Sequence, residues 1–178
     1  MPVSLRFAGR PILAGLAFLI AFAPVAASAA QADPAYAVPE AAQAAEAPET
    51  FDTRFAKAQA GDARAQCEIG VAYINGTAVP QDFRLGLDWL HRSSEAGFGY
   101  ARFVLADLYS RGYGGVSVDD AQAYYFASLA AASSSLAERY RERAVKLRNA
   151  SAKRLSSAQL TSLQAKAALA PLDAAFGQ

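Results

Sequence analysis

Apolar and small residues in the middle of the chain recur with helical spacing. Ala65, Ile69, Ala72 and Tyr73 stand at i, i+4, i+7 and i+8, which places them on one face of a helix. Ala101, Leu105, Leu108 and Tyr109 repeat that spacing 36 residues later (65 to 101). Gly76 and Gly112 follow each set, at the point where a left-handed turn ends a helix at no cost to glycine. Asp82 and Asp119 then precede a second apolar stretch, where a carboxylate can accept from free backbone N–H groups. Gln122, three residues past Asp119, resembles the second half of a capping box. In the second stretch Gly86 and Trp89 match Ala123 and Phe126, now displaced by 37 residues (86 to 123), so one residue enters in the loop between.

A self-match of helix pairs at this period predicts an all-α chain, an α/α solenoid of two helix-pair repeats. Two such units fall below the usual minimum of about three for a stable array, so flanking helices are expected to cap the core. Phe51, Phe55 and Ala58 predict one before the repeats. Leu136 to Ala150 and Ser157 to Leu169 predict two after them, the last opened by Ser156 or Ser157 and stopped by Pro171. The expected organisation is repeats over 51–135, about 65–100 and 101–135, and capping helices over 136–178.

The motif resembles the Sel-1-like repeat family, relatives of the tetratricopeptide repeats. The residues that carry it are Gly61-Asp62-Ala63-Arg64-Ala65-Gln66, then Ile69, Gly70, Tyr73, Gly76, Val79 and Asp82, then Trp89 through Ser94 and Gly97. The second copy departs at Ala106, Phe126 and Ser133-Ser134-Ser135, which makes it look like a terminal unit. The resemblance covers about residues 51 to 135 and implies an adaptor or regulator of other proteins. Some secreted relatives are disulfide-laced and have been linked to β-lactam hydrolysis. This chain has one cysteine, so that framework is lacking.

Both ends of the chain differ from the middle. Residues 1–29 carry Arg6 and Arg10, an apolar run from Pro11 to Ala27 and the small exit Ala27-Ser28-Ala29, the pattern of a cleaved secretory signal peptide; an uncleaved anchor is the alternative. The expected location is therefore periplasmic or secreted, with no membrane contact after cleavage. Residues 30–50 are rich in Ala, Pro and Glu and predict a disordered tether. The formal net charge of +1 turns slightly acidic once the leader is removed, which argues against a nucleic-acid partner. Acidic residues gather before Phe51, whereas basic ones gather from Arg139 to Lys166. Those cations flank the apolar Leu136, Tyr140, Ala144 and Leu147, where they keep a helix soluble or else meet anionic phospholipid heads, acidic cell-wall polymers or the chain's own acidic N-terminal stretch.

Candidate chemistry is sparse. Cys67 reads as a small apolar filler, and a nucleophilic pair with His91, the only imidazole, is the sharper alternative. His91 itself reads as a surface residue. Ser-x-x-Lys, the spacing of penicillin-recognising serine enzymes, does not occur. Gly112-x-Gly114-Gly115 fits neither nucleotide pattern and reads as a turn. Asp119-Asp120 reads as a helix cap before it reads as a cation site. No catalytic, cofactor or metal residue is assigned. The function expected is a non-enzymatic adaptor that binds another envelope or periplasmic protein; the alternative is an envelope hydrolase of the β-lactamase-like type. The first helix of each repeat is apolar on two sides, and Val71, Ile74, Phe103 and Asp107 on the second side are candidates for an inner partner-binding groove. Burial between neighbouring helices is the competing explanation.

Overall fold

Most of the helices start where a side-chain acceptor stands just ahead of the helical run, and the exceptions begin after Phe98 and Ala137. The computed structural model describes residues 49–171, and among these the regular structure is seven α-helices and one 3-10 turn. They are α1 (Phe51–Gln59), α2 (Ala63–Asn75), α3 (Phe83–Glu95), α4 (Gly99–Arg111), α5 (Asp120–Ala132), α6 (Glu138–Ala152) and α7 (Ser157–Ala168). The signal peptide assigned to 1–29 and nearly all of the tether assigned to 30–50 lie outside the described residues, as does the stretch after Pro171.

Asp62, Asp82 and Asp119 each accept from the backbone N–H three residues on, at 2.7, 2.9 and 2.9 Å. Ser156 and Gln159 complete a reciprocal capping box at the start of α7. Gly76 and Gly112 end α2 and α4 in the left-handed conformation, at φ 67° and 68°. The loop that follows is tied in the same way in both units: Asp82 N–H donates to Tyr73 C=O, and Asp119 N–H to Tyr109 C=O, each at 3.0 Å. The second loop is one residue longer, and a 3-10 turn over Tyr113–Gly115 lies within it.

From α1 to α6 each helix packs on its neighbour in sequence, and two further contacts set the shape. α5 and α6 also meet α7 and α4 respectively, so that α4 is held between α3, α5 and α6. Its residues Gly99 through Leu108 are all buried, which explains why its sequence is apolar round most of its circumference. The larger core gathers about α4, from Cys67 and Ile74 on α2 to Tyr140 and Ala144 on α6. A smaller core joins α1 to the first repeat through Ala58, Ala65, Ile69 and Trp89, and Phe55 meets the Trp89 ring edge-on at 5.7 Å. Thus α1 and α6 close the ends of the two-unit stack. α7 buries none of its residues and holds to α5 by Lys166 over the Tyr125 ring at 4.3 Å and Gln164 donating to the Tyr124 hydroxyl at 3.3 Å.

Candidate functional site

The proposed inner groove is filled. Val71, Ile74, Phe103 and Asp107 retain only 8, 0, 1 and 5% of their surface, so they belong to the core and do not line a partner site. The reason is geometric. α6 stacks beside α4 and takes the Phe103 face, with the Tyr140 ring 5.2 Å from the Phe103 ring and the Arg143 guanidinium 5.1 Å from it. Ile74 presses on the bare backbone of α3, where a methyl group on Gly86 would lie 2.7 Å from its Cδ1. Asp107 forms an ion pair with Arg111, one turn along the same helix. The sequence shows that these helices are apolar on two sides; it does not show that a helix beyond the second repeat returns to cover the second side.

The groups with chemical potential are engaged in the structure. Cys67 is fully buried, and desolvation, with a smaller contribution from Glu68, pushes its thiol well above the ordinary range, away from a nucleophilic thiolate. His91 is not the surface residue expected. It is half-buried against Phe126, ring centroids 5.4 Å apart, and its Nε2 shares a hydrogen bond with the Tyr109 hydroxyl at 3.0 Å. Burial lowers the imidazole pKa, and the carboxylates of Glu95 and Asp88 partly oppose that shift. The sequence signal that was missed is the alignment of Tyr109 with Phe126 in the second unit, two rings that stack at 5.9 Å and leave one edge for His91.

Asp119 caps α5, and Asp120 accepts two hydrogen bonds from Arg154, at 2.7 and 2.6 Å, which hold its carboxyl below the usual carboxylate range. Among the described residues no group of three or more His, Cys, Asp or Glu gathers as a metal site would require. Gly114 lies flat against the Phe83 ring, where a Cβ would fall 1.9 Å from Cε1, so this glycine serves a turn packed on an aromatic face. Trp89 and Phe126 occupy matched core positions, as their place in the two copies implies. Among the described residues no helix is long and apolar enough to cross a membrane.

The surface left for recognition is therefore the outside of the stack. Its most highly charged element is α6, which exposes Arg139, Arg143 and Lys146 together with Glu138 and Glu142. An open depression of about 520 Å³ between α6 and the end of α5 is lined by Ala131, Glu138, Arg141, Glu142, Val145 and Lys146.

Comparison with known proteins agrees with this architecture. The Sel1 repeat model matches residues 63–98 and 99–135, which are the α2–α3 and α4–α5 pairs with their connecting turns. A protective antigen of uropathogenic Escherichia coli strains that displays an SLR fold is similar over 66% of this chain, with a TM-score of 0.58 and 24% identity. At that identity the likeness is one of fold, and the chain spans only 24% of the antigen's length. A Sel1 repeat protein from Oxalobacter formigenes aligns over 65% of this chain and 97% of its own, with 21% identity and a TM-score of 0.42. No curated protein matches the chain. Residues 63–135 are thus two Sel1 repeats, and the described residues build a helical solenoid of the SLR fold.

Proposed function

We propose that this chain is a non-enzymatic adaptor that binds another protein of the bacterial envelope, in the periplasm or after secretion. Sel1-repeat proteins generally mediate protein–protein interaction and are typically non-catalytic scaffolds, and the chain carries two such repeats. The observation that carries the reading is that its candidate reactive groups are occupied in holding the scaffold together: Cys67 packs the core, His91 bonds Tyr109, and Asp119 and Asp120 hold a helix start and Arg154. A catalytic constellation needs a nucleophile and a base within reach of each other and of solvent. The compartment rests on the leader-like residues 1–29.

Cross-linking in cells followed by mass spectrometry tests the adaptor reading: recovery of a defined envelope protein is expected, and the absence of any reproducible partner overturns it. Hydrolysis of a chromogenic β-lactam by the purified chain, above a heat-denatured control, would make it a hydrolase instead. Sequencing the N-terminus of the protein recovered from the envelope tests the compartment, with Ala30 expected first and Met1 contradicting cleavage.

A further inference from the structure

Many cations of the described fold meet a carboxylate, as Arg64 meets Glu68 one helical turn away and Arg154 meets Asp120. Five on or just after α6 do not, and one of these, the half-buried Arg148, bonds the neighbouring Asn149. The other four, Arg139, Arg143, Lys146 and Lys153, are exposed and have no carboxylate partner among the described residues. At about 100° per residue they fall within an arc of about 80°, so they form one stripe along the helix. Two of the four are preorganised. The Arg139 guanidinium lies 4.7 Å above the Tyr140 ring and donates to its hydroxyl at 3.2 Å, and Arg143 lies above Phe103. A stacked guanidinium keeps in-plane N–H donors for a carboxylate and loses less rotamer freedom on binding one.

The shape of the stripe selects its ligand. Glu142 borders it on the solvent side, and Glu138 lies beyond Glu142. A flat anionic bilayer pressed on this face would also meet those carboxylates, whereas a narrow chain laid along the cations would not. From Arg139 to Lys153 the helix rises about 21 Å, the reach of about six or seven residues of extended peptide. We propose that the α6 stripe docks an extended acidic polypeptide segment of the protein's partner. This rests on the adaptor reading and adds the chemistry of the docking surface.

The test uses the full chain and a fluorescein-labelled eight-residue peptide of alternating Glu and Ala, followed by fluorescence anisotropy. Binding that weakens with salt is expected, with none for the Gln-for-Glu peptide. Lys146→Gln with Lys153→Gln, side chains with no other polar contact in the described fold, should weaken binding about tenfold or more. Arg139→Lys with Arg143→Lys keeps the charge and loses the planar fork, and should weaken it less. Arg84→Gln on α3, with unchanged affinity expected, controls for net charge. Equal loss with Arg84→Gln, or no loss with the stripe variants at unchanged melting temperature, overturns the proposal. So does stripe-dependent binding to phosphatidylglycerol vesicles without peptide binding, which would make the face a lipid-binding one. If the peptide fails while cellular cross-links fall on other helices, the docking surface is refuted and the adaptor reading stands.

Discussion

Gly86→Ala adds a methyl group at the tightest helix crossing of the first repeat, and the sign of its effect is the test. Within an isolated helix the change favours folding by about 1 kcal/mol, because alanine loses less backbone entropy than glycine. In this structure the new Cβ would lie 2.7 Å from Ile74 Cδ1, 2.8 Å from Ile74 Cγ1 and 2.9 Å from the Gly70 carbonyl oxygen. Ile74 is fully buried and the carbonyl belongs to α2, so neither can retreat without moving a helix. Overpacking of this kind costs about 1–3 kcal/mol, which exceeds the propensity gain when backbone must shift. A net loss of about 1–2 kcal/mol is therefore expected, read as a lower urea midpoint at unchanged slope by circular dichroism at 222 nm. Gly70→Ala should behave alike, since its Cβ would meet Leu90 Cγ at 2.8 Å and the Gly86 carbonyl oxygen at 3.0 Å. A rise in stability for either variant would refute the close approach of α2 and α3. The second repeat has Ala106 and Ala123 at the matching positions, both fully buried, so both members of the glycine pair change together. There Ala123→Gly should cost about 1–2 kcal/mol by the opposite route, through lost propensity and a lost buried methyl group.

Trp89→Ala should cost about 3–5 kcal/mol, because it empties the space between α1 and α3 that the Phe55 ring shares; a loss below about 1 kcal/mol in urea denaturation would contradict that packing. Asp119→Ala should cost about 1 kcal/mol through the unsatisfied Gln122 N–H, and an unchanged urea midpoint would refute the cap. Stability should fall on acidification just below the ordinary imidazole value of 6.5, since the unfolded His91 takes up a proton that the folded one, with its lowered pKa, resists until lower pH. Above that value His91 is neutral in both states and contributes no pH dependence, so His91→Gln should flatten the urea-midpoint profile below about pH 6.5; an identical profile would show that burial of the ring does not disfavour the imidazolium.

The elements were legible because each is declared by a few residues that act locally. Asp82 and Asp119 mark helix starts, Gly76 and Gly112 mark ends, and the spacing of Ala65, Ile69 and Tyr73 marks a face; the caps and turns form where these residues stand. Gln122 supplies its N–H to the Asp119 cap, yet the reciprocal capping box forms at Ser156 and Gln159, where sequence analysis placed only a helix start. Ser133, standing in for the turn glycine, is buried, and a Cβ on Gly99 would fall 2.2 Å from its Oγ; the boundary between repeat and cap thus depends on a glycine at the first position of α4 that no helix-end rule marks.

The interaction surface was not legible for a reason that lies in the length of the array. In a long solenoid each first helix has the same neighbours, so an apolar second side repeats as a lining. With two units there is a single central helix, and here it is α4, whose second side is closed by Tyr140 and Arg143 of α6. Val71 and Phe103 cannot then be both core and groove. Once the caps consume the inner side, what distinguishes the outer surface is charge carried by the caps themselves. Among the described residues no helix stacks beyond α6, so its outer face is polar, and the arrangement of its cations remains open to selection while Tyr140, Ala144 and Leu147 do the packing. A terminal helix of this kind separates two demands that an internal repeat must meet with the same residues: one face completes the core, and the other is left to specify a partner.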